Sequence, residues 1–286
     1  MQARPGSCGN QASLASLASH LKRVSTRQYG RRFRMRSGRL ATIAAFGAFL
    51  LANAMPASAQ CERAAFRIVL DVGHSPESPG ATSARGIDEY RFNLSLAAII
   101  EAHLVRQGYA ETRQMLSDGG RAGLGLRAAK ANALEPNLFL SVHHDSVQKT
   151  YLKSWVVDGA EQKFSDRFAG WSLFVSRANG RFRESAAFAT VLADRLLDAG
   201  LPFTTHHAEA IRGENRRFLD AARGIYRFDE LAVLKATEAP AVLMEAGLII
   251  NRDEEQRLAG PERQNRIARA VTGAVDAFCA LQPPLR

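Results

Sequence analysis

The chain has 286 residues, room for one large domain or two small ones, and its 38 Lys and Arg against 28 Asp and Glu give a net charge of +10. Nine of those basic residues and no acidic one fall within residues 1–59, so 29 basic residues face 28 acidic ones over the remainder. A nearly neutral remainder excludes a polyanion-binding domain, and nucleic acid is not an expected partner.

The basic excess belongs to a leader. Arg31–Arg39 is a basic segment, Leu40–Met55 is an apolar run, and Ala57-Ser58-Ala59 is a small-x-small cleavage signal. The apolar run is shorter than the roughly 20 residues of a membrane span. Cleavage near Gln60 is therefore expected, leaving no stable span, with an uncleaved anchor as the alternative. Residues 1–34 exceed what a signal needs, and Met35 is a more ordinary start. The expected organisation is a leader over residues 1–59 and one domain over residues 60–286, exported to the periplasm or beyond. Cys61 and Cys279 then meet an oxidising compartment near opposite ends of the mature chain. A disulfide tying the termini together is expected, and two free thiols are the alternative.

Phe66–Leu70 predicts a buried strand, followed by Gly73 and His74 at its mouth. Over Tyr90–Gln107, Phe92, Leu96, Ile99, Ile100 and Leu104 recur at helical spacing, and Gly108 stops the helix. Tyr109–Met115 predicts a strand, Leu124–Leu134 a helix, and Leu138–Val142 a strand running into His143. Ser172–Ser176 reads as a strand and Ala186–Leu197 as a helix. Pro202–Arg223 reads as a long loop with room for a helical turn. Leu231–Leu234 is a short strand candidate and Ala241–Glu245 a stronger one. Asn251 caps a short helix, and Pro261 opens a last one with Ile267, Val271, Ala274, Val275 and Phe278 on one face. Apolar strands alternating with helices predict an α/β fold: a single three-layer domain with a mainly parallel twisted sheet flanked by helices.

Three of the best strands end in a candidate ligand or catalyst: His74, His143 and Glu245. In a parallel sheet those ends share one edge, and Glu89 begins the helix that returns to it. Two imidazoles and two carboxylates suit a catalytic zinc site. Each residue also has an ordinary reading. His74 caps a turn, His143 is a satisfied core histidine, Glu89 is a helix-start carboxylate, and Glu245 pairs with an arginine.

The fragments GHSPESPGATSARGIDE, SVHHDS and PAVLMEAGLIINRDE, in this order, resemble the zinc-dependent N-acetylmuramoyl-L-alanine amidases, which cut peptidoglycan. The resemblance covers nearly all of Phe66–Phe278. It implies a zinc cofactor held by His74, Glu89 and His143, with Glu245 as the catalytic carboxylate. It further implies hydrolysis of the amide between N-acetylmuramic acid and L-alanine, in peptidoglycan or its muropeptide fragments. A protein activator stays open. The alternatives are another zinc amide hydrolase, such as a peptidoglycan carboxypeptidase, or a catalytically silent cell-wall binding or regulatory protein.

The chain departs from the family pattern in places. Ser75-Pro76 stands where a glycine pair is common, His144 and Asp145 where a small residue and an asparagine are usual, and Leu248 where an aromatic is frequent. Strand parity turns His144 away from His143 into a structural role, while Asp145 is expected to hold a zinc ligand's second nitrogen. His206 and His207 read as exposed loop residues, with contact to substrate or a stray metal as the alternative. Arg212, Arg216, Arg217 and Arg223 either engage peptide carboxylates or pair with Asp220 and Glu214.

Overall fold

The computed structural model describes residues 61–117 and 123–282. The expected leader lies outside the described residues. The strands are β1 (Ile68–Val72), β2 (Thr112–Met115), β3 (Leu138–Asp145), β4 (Lys153–Val157), β5 (Ala160–Phe164), β6 (Ser172–Val175), β7 (Phe218–Asp220), β8 (Ile225–Arg227) and β9 (Ala241–Leu248). The helices are α1 (Glu89–Arg106), α2 (Gly123–Ala133), α3 (Phe182–Asp198), α4 (Ala232–Ala236), α5 (Arg252–Ala259) and α6 (Pro261–Ala280).

Seven strands form one sheet in the order β2-β1-β3-β9-β6-β8-β7, and β4 and β5 form a separate hairpin. From β2 to β9 every pairing is parallel; β6 then runs antiparallel to β9 and parallel to β8, and β7 closes the edge antiparallel to β8. Five consecutive buried residues in β1 mark a strand covered on both faces. Parity sorts the side chains. Ile68, Leu70, Leu138, Leu140, Val242 and Met244 pack with α1, α3 and α6, whereas Val69, Phe139, Ala241 and Leu243 pack with residues of α2 and α4. Burying each large apolar side chain contributes about 1.5–3 kcal/mol, so both faces are needed.

Most helices follow their sequence signals. On α1, Phe92, Leu96, Ile100 and Leu104 are buried at four-residue spacing. Asn251 caps α5 by accepting from the amides of Asp253 and Glu254, and Pro261 opens α6. Cys61 and Cys279 are joined by a disulfide with Cα atoms 5.4 Å apart. Beside it, Arg63 pairs with Asp276 at 3.0 Å and the Tyr109 hydroxyl donates to the same carboxylate at 2.8 Å.

Three sequence readings are corrected. Leu231–Leu234 is not a strand, because β8, unread in the sequence, takes that place beside β6. The segment instead enters α4, burying Val233 and Leu234. The β4–β5 hairpin was also unread, although Asp158-Gly159 is a strong hairpin signal; both residues have positive φ, 52° and 78°. Pro202–Arg223 has the helical turn allowed for it, at His206–Ala208, but it also contains the strand β7 and a second 3-10 turn at Ala221–Arg223, which were not expected.

Candidate metal and catalytic site

At the end of β1 the chain turns sharply. His74 has φ of 68°, a left-handed conformation unusual for a residue with a Cβ. Arg127 of α2 holds it there, donating from Nη2 to the carbonyls of Val72 at 3.2 Å and His74 at 3.0 Å. The same guanidinium lies 3.3 Å from the buried Asp71, whose other oxygen accepts from Ser141 Oγ at 2.6 Å. Two glycines give the imidazoles room. A Cβ on Gly73 would strike the His143 ring, and one on Gly80, at φ of 85°, would strike both His74 and Glu89.

Glu89 opens α1 and reaches both imidazoles. Its Oε2 lies 3.0 Å from His74 Nε2 and its Oε1 lies 3.0 Å from His143 Nδ1. Asn93 Nδ2, one turn along α1, donates to Glu89 Oε1 and to the Gly73 carbonyl, both at 3.1 Å, and the Ala81 amide donates to Oε2 at 3.0 Å. Burial pushes the Glu89 carboxyl up, but the hydrogen bonds from His143 and His74 outweigh it and hold it well below the usual range. Each residue offers a donor atom within 4.8 Å of the others. Two imidazoles and one carboxylate, with space kept by two glycines, fit a divalent cation of zinc type.

The loop between β1 and α1 is clamped from α5. Ser83 Oγ donates to Glu255 Oε1 and Arg85 Nη1 pairs with Glu255 Oε2, each at 2.6 Å.

Glu245 sits on β9 in register with His143 on one side and Ser172 on the other. Its Oε2 is buried without a hydrogen bond. Burial first, then the charges of Asp145 and Glu89, push this carboxyl well above its ordinary value. A carboxyl so perturbed, in register with one of three clustered metal-type donors, is suited to taking and returning protons.

His144 turns to the opposite face, as parity requires. It is buried, its Nδ1 lies 2.7 Å from Asn93 Oδ1, and its ring packs against Phe92. Asp145 does not do what was expected of it. β3 continues to residue 145 with a register shift after His143, and this carries Asp145 along the edge to His206 and His207. His143 Nδ1 meets Glu89 instead. Both loop histidines are buried, at 1% and 7% exposure, which overturns their reading as surface residues. Their signal in the sequence was a tandem histidine inside a polar segment.

The loop arginines divide. Arg223 pairs with Asp220 at 2.9 Å and with Asp194 at 2.6 Å. Arg216 places its guanidinium 3.5 Å from the centre of the Phe228 ring, and burial lowers its pKa. Arg212 and Arg217 are exposed. Glu214 takes none of these arginines; it binds His207 and Gln148.

The N-acetylmuramoyl-L-alanine amidase family model matches residues 68–277. The N-acetylmuramoyl-L-alanine amidase AmiC of Neisseria meningitidis serogroup B is 26% identical over 219 residues, covering 74% of this chain and 52% of its own. Its namesake from Escherichia coli is 25% identical over 228 residues with the same coverage. The chain thus spans about half the length of the curated relatives it matches. Among solved structures, the amidase Ami1 of Mycobacterium smegmatis shares the fold with a TM-score of 0.59, at 21% identity, over 77% of this chain and 100% of that one.

Proposed function

The chain belongs to the N-acetylmuramoyl-L-alanine amidase family, and on that premise we propose that it is a zinc-dependent peptidoglycan amidase. The bond cut is the amide between N-acetylmuramic acid and L-alanine of the stem peptide. The observation that carries this reading is the meeting of His74 and His143 on Glu89, beside a Glu245 whose Oε2 has no partner.

His74, Glu89 and His143 would hold the metal. When bound, zinc supplies a Lewis acid for an amide carbonyl and lowers the pKa of water towards about 7. Arg127 and Asn93 fix the backbone around His74 and Gly73, so the ligands are oriented before the metal arrives. Glu245 takes the proton of the attacking water at Oε2 and returns it to the departing amine, which leaves poorly without it. The buried, unpaired state of that oxygen keeps its proton affinity high. Exposed Arg212 and Arg217 are available to stem-peptide carboxylates. The leader signal and the terminal disulfide both support an exported protein.

The test is mass spectrometry of purified peptidoglycan digested with the full chain, with and without a chelator. Free stem peptides beginning with L-alanine, lost on chelation and restored by zinc, are expected. Release of single C-terminal amino acids would favour a carboxypeptidase, and intact glycopeptide despite bound zinc would point to a missing activator, a different substrate or a catalytically silent binder.

A further inference from the structure

A second group of metal-type donors lies on the same edge of the sheet. Asp145 at the end of β3 faces His206 and His207 from the loop between α3 and β7; each offers a donor atom within 4.8 Å of the others. Asp145 Oδ2 lies 3.2 Å from His206 Nε2 and 2.8 Å from His207 Nε2. All three atoms are buried, and none makes a hydrogen bond. Such atoms crowd together in a protein interior only with something positive among them: without a metal, a proton on His207, whose pKa, despite burial, Asp145 and Glu214 raise to about 9, and with one, a cation in the proton's place.

The outer nitrogens show how the rings are set. His206 Nδ1 lies 3.0 Å from Thr204 Oγ1, and His207 Nδ1 lies 2.8 Å from Glu214 Oε2. Each Nδ1 thus has an outer partner that can take its proton, and in that tautomer the Nε2 lone pair is aimed at Asp145. Glu214 is itself held by Gln148 Nε2 at 2.8 Å, and Thr204 is tied through its carbonyl to the Tyr226 hydroxyl at 3.0 Å. A carboxylate behind a histidine is the usual support of a metal ligand. The two rings stand 3.9 Å apart, and Phe168, Phe174 and Tyr226 pack around them. Such walls fix the rings and keep water out.

We propose that Asp145, His206 and His207 form a second site for a divalent transition cation, separate from that of His74, Glu89 and His143. Two imidazole nitrogens and one carboxylate oxygen suit zinc and its neighbours rather than calcium or magnesium. The site stands beside Glu245, whose carboxyl feels both Asp145 and Glu89. A cation there sets a second positive centre against the same catalytic carboxylate.

The test is metal content per chain by mass spectrometry after equilibration of the full chain with buffered zinc. The wild type is expected to bind two equivalents. The His74→Gln/His143→Gln variant should keep one, and adding Asp145→Asn should remove it. In that double-histidine background zinc should raise the melting midpoint, and Glu214→Gln should weaken this binding about 10–100-fold. The His206→Gln/His207→Gln variant should keep one equivalent at the first site. A wild type with one equivalent, lost in His74→Gln/His143→Gln, would overturn the proposal and leave an ion-paired cluster. One equivalent that survives in His74→Gln/His143→Gln would instead uphold the second site and sink the first. Where the His206→Gln/His207→Gln variant fails to fold, the wild-type stoichiometry and the Asp145→Asn result still decide.

Discussion

His143 and Glu245 face each other in register on adjacent parallel strands, so the proposed metal donor and the proposed proton carrier are fixed by the same backbone hydrogen bonds. Their side chains share the sheet face that packs on α2 and α4, and no loop motion is needed to bring them together.

This pairing separates metal binding from proton transfer. Glu245→Gln keeps the shape of the side chain and removes its basicity. Turnover should fall about 10²–10⁴-fold while zinc content stays at the wild-type level. Product release measured alongside metal content checks it. Normal turnover with normal zinc would remove Glu245 from the chemistry.

The same substitution should stabilise the metal-free protein, and only above a certain pH. Burial, then Asp145 and Glu89, raise the carboxyl above its ordinary value of 4.5. The folded chain therefore keeps a proton that the unfolded chain has released, and stability falls as pH rises from about 4.5 towards the raised value. Denaturation midpoints in chelator should agree for wild type and Glu245→Gln at pH 4. They should diverge in favour of the variant as pH increases. Parallel curves would mean that the carboxyl is not strained by its surroundings.

Arg127 and Asp71 should behave as a unit. Arg127→Met leaves Asp71 buried without its cation and frees the His74 carbonyl, at a cost of about 3–5 kcal/mol. Adding Asp71→Asn should recover part of the loss. Urea midpoints of the two single variants and the double variant measure the coupling, and simple additivity would show that the contact contributes nothing.

Reduction of Cys61–Cys279, or Cys→Ser at both positions, should lower stability by about 2–5 kcal/mol, since the bridge closes a sequence separation of 218 residues. Urea unfolding with and without reductant measures it. Identical midpoints would show that the cross-link does not constrain the unfolded chain.

The first site was legible because each of its residues ends a strand or starts a helix with a strong local pattern. His74, His143 and Glu245 follow apolar runs, and Glu89 opens a helix whose face repeats every four residues. The second cluster was not legible for a physical reason. Asp145 reaches its partners only because β3 runs past Val142 with a register shift, and His206 and His207 lie in a segment with no period to reveal burial. Long-range packing buried them. Arg127 was equally silent, since an arginine on a helix announces nothing about the strand end it holds. The α4 misreading came from a short apolar run that suits helix and strand alike.

The sheet order has a consequence for how the molecule comes into being. β9 is the last strand to be synthesised, yet it lies in the middle, with β3 on one flank and β6 on the other. Until residues 241–248 exist, the β2-β1-β3 half and the β6-β8-β7 half have no shared edge to join them. The chain must be made as far as β9, Ala241–Leu248, before the sheet can become continuous, and Glu245 is delivered by the segment that seals it. A growing chain is thus kept open and inert until its final strand slots home.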